Sequence, residues 1–150
     1  MSAKNYLIKG PVSPAFIARQ IEAHNKKHGI GAHALFLGQV RADEKEGATV
    51  TGIAYSAYEE MANKEISRIR EEAFDRHNLS CLHVYHSTGF VPVGALSLFI
   101  FVSSAHRREA LQALEEIVEK IKYEVPVWKE EHWSDGSRVF IEEERKNGHD

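Results

Sequence analysis

The sequence predicts an α+β fold, with about three helices packed on a mainly antiparallel sheet. Three observations carry this. Helical apolar periodicity appears in three separate stretches, near residues 12–29, 59–78 and 104–123. Short segments rich in β-branched and aromatic residues lie between them. The last such segment, "VWKEEHWSDGSRVFIEE", folds back on itself around Asp135-Gly136, a dipeptide suited to a hairpin turn. The 150 residues suffice for one domain with a single core, read as residues 1–150 with a polar tail after about 144.

Each element has a local reason. In "VSPAFIARQIEAHNKKHG", Ser13 is placed to cap and Pro14 to occupy the first helical position. Ile17 and Ile21 share a face, and Gly29 stops the helix. "AHALFLGQV" reads as a buried strand, and "RADEKEGA" as a charged surface loop. "TVTGIAYSAY" is strand-like. "EEMANKEISRIREEAFDRHN" opens on acidic residues, as a helix N-terminus favours, with Met61, Ile66, Ile69 and Phe74 as core candidates. "CLHVYHSTG" and "GALSLFIFVSS" give two further strands. A third helix then starts near Ser104, its expected N-cap, with an apolar stripe through Leu111, Leu114, Val118 and Ile121 and with Ala110 and Ile117 beside it. Pro126 ends it.

Composition narrows the function. The 43% hydrophobic and 27% charged fractions are those of a globular protein. A net charge of −3 argues against general nucleic-acid or membrane binding while allowing a local basic pocket. The longest apolar run, Ala95–Val102, is too short to span a bilayer. "MSAKNYLIKG" lacks a signal-peptide core, so a cytoplasmic location is expected. One cysteine, Cys81, excludes an internal disulfide and reads as a small core residue. His83 and His86 stand three apart on a strand and so face opposite sides. No metal and no cofactor are expected.

Three groups of residues could carry chemistry. His106 and Arg107 stand at a helix start, where the helix dipole disfavours cations unless an anion binds. They form either a phosphate site or a solvated helix start paired with Glu109. Lys122, in a last helical turn, and Lys129, past the proline bend, are either a desolvated pair near Trp128 or a dipole partner and a surface lysine. Arg41 closes a strand after Gly38, where a ligand could approach the backbone, or is an ordinary strand-end arginine.

Four blocks then occur in order: "FLGQVR" after an apolar run, "YEEM" opening a helix, "SAHR" after a strand, and "KYEVPVWKEE" at the close of the next helix. Together, over about Gly31 to Phe140, they make the chain resemble the large, catalytic subunit of molybdopterin synthase. The resemblance implies an α/β hammerhead-type fold and a homodimer within a heterotetramer. Each copy would bind a small ubiquitin-like sulfur-carrier subunit with a C-terminal Gly-Gly thiocarboxylate. It implies a sulfurtransferase that converts cyclic pyranopterin monophosphate to molybdopterin by adding two sulfurs. Carried over by position, the substrate segment falls on Gln39, Val40 and Arg41. The motif histidine and arginine fall on His106 and Arg107, and the pocket lysines on Lys122 and Lys129, followed by Glu130 and Glu131. Lys122 and Lys129 are the catalytic candidates. Family members often carry Lys where Gln39 stands, and some use an arginine near the C-terminus, where this chain has Arg138 and Arg145.

One geometric expectation follows. His106 and Lys122 are 16 positions apart on one helix, or about 24 Å along its axis. One small pterin does not reach both ends. Each site is therefore expected to take Lys122 and Lys129 from one protomer and His106 and Arg107 from the other. Two rivals stay open: a non-catalytic scaffold subunit, and a phosphoester-processing enzyme using the same anion site.

Overall fold

The computed structural model describes residues 4–141. The polar tail after 144, with Arg145, lies outside them. The elements in chain order are β1 (Leu7–Lys9), α1 (Pro14–Ala23), β2 (Ala32–Gln39), β3 (Glu44–Lys45), β4 (Ala48–Ala57), α2 (Glu59–Arg76), β5 (Cys81–Pro92), β6 (Leu96–Ser104), α3 (Arg107–Glu124), β7 (Val127–Trp133) and β8 (Arg138–Ile141). The strands run in the order β2-β6-β5-β4-β7-β8, with β1 beside β5 and β3 beside β4. Every pairing is antiparallel except β1 with β5.

Strand β6 sits between β2 and β5 and is buried along nearly its whole length. Its side chains alternate between two cores, as a period of two requires. Leu98, Ile100 and Val102 face α2 and α3, joined by Ile66, Ile69, Ala110, Ala113 and Ile117. Phe99 and Phe101 face the other way, toward α1 and Ile17. A strand covered on both faces reads as an uninterrupted apolar run, which is how this segment appears in the sequence.

Strand β5 joins the two halves of the sheet. Cys81–His86 pairs with β6, and Gly89–Pro92 pairs with β4. Gly89, with φ +81°, lies where the pairing changes partner, a backbone conformation glycine adopts without steric cost. The redirected β5 carries β4 and β7 away from β6 and leaves a hollow beside the C-terminal end of α3.

Several expectations are refined. Ser13 caps α1 by accepting from the Phe16 N–H at 3.0 Å, but the helix ends at Ala23 rather than near Gly29. Bonds from His24 N to Ile21 O and from Asn25 N to Glu22 O tighten its exit into 3₁₀-type turns. The charged loop is a short hairpin: Lys45 pairs with Ala48 across Glu46 and Gly47, both at positive φ. On α2 the buried stripe is Ala62, Ile66, Ile69 and Ala73, while Met61 and Phe74 are exposed. On α3 it is Ala110, Ala113, Ile117 and Ile121, with Leu111 exposed. Alanines serve both contact lines because small side chains let the helices lie close to one another and to the sheet. Ion pairs then bridge the helices: Arg68–Glu124 at 2.5 Å, Arg76–Glu116 at 2.9 Å, and Lys120 with Glu72.

Candidate active site

A cavity of about 750 Å³ opens in the hollow beside the end of α3, large enough for a small ligand. Gln39, Val40 and Arg41 enter it from the end of β2, Lys122 from the last turn of α3, and Lys129 and Glu131 from β7. Residues far apart in sequence meet here because β4 pairs with both β5 and β7, and the 125–127 bend turns the chain from α3 straight into β7. Val40 and Tyr55 line it and pack with the buried Val91 beneath in a small apolar cluster.

Cations and acids alternate on the rim. Arg41 is highly exposed and pairs with Asp43 in a two-point contact, 2.7 Å from Nε and 3.3 Å from Nη2. Asp43 raises the already high Arg41 pKa, so this charge is permanent. Lys122 is exposed and Lys129 half-buried in the single chain. The two lysines act as a positive wall.

The structure adds His86, which the sequence reading considered only as a metal ligand. It is buried, lines the cavity, and packs edge-on to Tyr55 with ring centroids 5.6 Å apart. Its Nδ1–H donates to the Ser87 carbonyl at 2.8 Å, which leaves the lone pair of the neutral ring on Nε2. Burial pushes its pKa down to about 4, the Ser87 hydrogen bond opposes this, and the Lys129 and Lys122 charges add to it. Tyr55 in turn donates to Ser97 Oγ at 3.0 Å. Strand alternation could have flagged His86, since it lies opposite His83 on β5, but nothing local says which face meets the lysines.

Two carried-over positions fall elsewhere. Glu130 faces away from the cavity and accepts from His132 Nε2 at 2.9 Å; Glu131, one residue on, faces in. Alternation along a strand requires that split. Gly38 does line the cavity, but the space its missing Cβ leaves is taken by Leu98 Cβ and Phe36, at 3.3 and 3.4 Å from that point, so packing accounts for it.

His106 and Arg107 are at the opposite end of α3. They border a shallower hollow of about 630 Å³ with Arg108, Gln112 and Gly31. The N-cap is His106, not Ser104, and no side chain caps the first turn. The Ser104 hydroxyl instead donates to the His106 carbonyl. The first-turn amides therefore keep their capacity to bind an anion beside two arginines.

Fold and cavity together define a class: a small α+β protein with a lysine-walled cavity at one end of α3 and a second cationic patch at the other. The MoaE protein family profile matches residues 9–124. The molybdopterin synthase catalytic subunit of Pyrococcus abyssi (strain GE5 / Orsay) is 44% identical over 115 residues, covering 77% of this chain and 76% of that protein. That of Oryza sativa subsp. indica is 36% identical over 137 residues, covering 88% and 70%. A crystal structure of molybdopterin synthase from Staphylococcus aureus superposes with a TM-score of 0.81 at 28% identity, over 95% of this chain and 99% of that one. A complex of subunits 1 and 2 of molybdopterin-converting factor from Helicobacter pylori 26695 shares the fold, with a TM-score of 0.78 at 22% identity over 93% and 90% of the two chains. The chain belongs to the MoaE family.

Proposed function

We propose that the chain is the catalytic, sulfur-transferring subunit of a molybdopterin synthase, acting in molybdenum cofactor biosynthesis. The observation that carries this is one cavity lined by Gln39, Val40, Arg41, Lys122 and Lys129, the positions at which the family resemblance put the substrate. The aromatic and apolar walls, Tyr55, Tyr123 and Trp128 among them, suit a flat pterin. Cyclic pyranopterin monophosphate is the substrate. The sulfur donor is the C-terminal thiocarboxylate of a small ubiquitin-like carrier, which reaches the cavity from outside. Lys122 and Lys129 hold that anion and exchange protons as the carbon–sulfur bond forms. His86 is a neutral neighbour able to accept a hydrogen bond.

The substrate's phosphate binds at His106 and Arg107 of a second copy. About 24 Å of helix separates that patch from Lys122 within one chain, and a two-fold axis brings the ends of two chains together. Among the described residues no helix is long and apolar enough to cross a membrane. We assign the work to the cytoplasm, where a lone thiol such as Cys81 stays reduced.

A single-turnover assay tests this reading. Wild-type protein, thiocarboxylated carrier and cyclic pyranopterin monophosphate are mixed, and dithiolene product is read as its fluorescent oxidised derivative. Wild type forms product. Lys122→Ala loses it by 10²-fold or more while still binding the carrier, the order expected when a positioned proton-transfer group is removed. Full activity in Lys122→Ala would overturn the assignment.

A further inference from the structure

On the α1 face of the sheet, away from the lysine cavity, three side chains from distant positions converge. His24 follows the last turn of α1, and Cys81 and His83 stand two apart on β5, on the same side of the strand. His24 Nε2 lies 3.2 Å from His83 Nε2. The two nitrogens and Cys81 Sγ all lie within 4.8 Å of one another. His24 and Cys81 are each only 6% exposed, and the His24 ring packs on Phe101 with centroids 4.8 Å apart.

We propose that His24, Cys81 and His83 form a binding site for a divalent ion of the zinc class, with solvent completing the tetrahedron. Two imidazoles and one thiolate are a donor set that Zn²⁺ takes in three-ligand sites. The spacing fits. Nitrogens bound tetrahedrally at about 2.0–2.1 Å stand about 3.3 Å apart, and a nitrogen and a sulfur about 3.6 Å apart. The imidazole pair is at that separation in the structure, and the sulfur has about 1 Å at most to move.

The supporting contacts are those of a ligating histidine. His24 Nδ1–H donates to the Gln20 carbonyl at 2.7 Å, fixing the tautomer that offers Nε2 outward. Without an ion, His24 Nε2 accepts the Nε2–H of His83. An ion replaces that proton. His83 then carries its proton on Nδ1, and the Cys81 thiol proton is released to solvent. Lys27 Nζ donates to Cys81 Sγ at 3.1 Å. Lys27 is exposed and its long side chain can withdraw as the ion enters. Loading would tie the exit of α1 to β5 on the face opposite the sulfur-transfer cavity, so its role is structural and separate from turnover.

Full-length protein freed of metal with chelator and titrated with Co²⁺ gives the test. Expected are one equivalent bound, tetrahedral d–d bands in the visible, and a sulfur-to-cobalt charge-transfer band in the near ultraviolet. Cys81→Ser abolishes the charge-transfer band, and His24→Gln and His83→Gln each weaken binding by tenfold or more. Lys122→Ala binds like wild type. X-ray absorption of the wild-type zinc form needs no variant and shows one sulfur at about 2.3 Å with nitrogen or oxygen at about 2.0–2.1 Å. A shell of nitrogen and oxygen alone, a charge-transfer band that survives Cys81→Ser, or no binding above that of surface histidines would overturn the site.

Discussion

His86 gives a prediction whose size follows from the structure. It is buried neutral beside Lys122 and Lys129, with its pKa moved from 6.5 to about 4. Well above its ordinary pKa of 6.5 it is neutral in both the folded and the unfolded chain and adds nothing to pH dependence. As pH falls from 6.5 toward 4, the unfolded chain takes up the proton first, so the folded state loses stability across that window. Below about 4 both states are protonated and the loss levels off. The loss from this residue is on the order of 1 kcal/mol at pH 5.5 and roughly 2–3 kcal/mol at pH 4.5. His83, also lowered to about 4 by burial and by His24, adds in the same direction and window. Urea unfolding at pH 7, 5.5 and 4.5 measures the total. His86→Gln keeps an amide donor for the Ser87 carbonyl and removes the titration. Its stability should fall less between pH 7 and 4.5 than that of wild type, by roughly 2 kcal/mol. Parallel curves for the two proteins would refute the claim that His86 is buried neutral.

Two further outcomes follow. Arg41→Ala should change stability by under about 0.5 kcal/mol, because its pair with Asp43 is solvent-exposed. The same variant should lower single-turnover sulfur transfer, since Arg41 lines the cavity; wild-type transfer would remove it from the site. Phe99→Ala should cost about 3–5 kcal/mol in urea unfolding, since the ring is fully buried against Phe101, Phe16 and Tyr85. A cost under about 1 kcal/mol would mean that the α1 side of the sheet is not tightly packed.

Periodicity and turn chemistry sufficed for the three helices, the long strands and the Asp135-Gly136 hairpin, because each has its cause within a few residues. Strand β1 has only three residues, Leu7–Lys9, and forms by parallel pairing with β5 some eighty positions on, so no local pattern announces it. The buried stripes of α2 and α3 are rotated from the expected ones: Ala62 and Ala73 take the places of Met61 and Phe74 on α2, and on α3 Ala110 and Ile117, expected beside the stripe, lie within it together with Ala113. In the site, Glu130 and Glu131 are both expected at the substrate, although alternation on a β7 strand puts them on opposite faces. His86 and Tyr55 were not legible, since they reach the cavity only through the pairing of β4 with β5 and β7. The same limit hid the meeting of His24 with Cys81 and His83, which needs the exit turn of α1 laid against β5.

Mixed dimers test the proposed composite site, with lysines from one copy and the anion patch from the other. Lys122→Ala and Arg107→Ala chains, each carrying a different tag, are each inactive as homodimers and are then allowed to exchange. With sites shared across the two-fold axis, each mixed dimer holds one intact site and one doubly altered site. Random exchange makes half the dimers mixed, so about one quarter of wild-type single-turnover product should return. Purified mixed dimers that form no product would contradict a site shared between two copies.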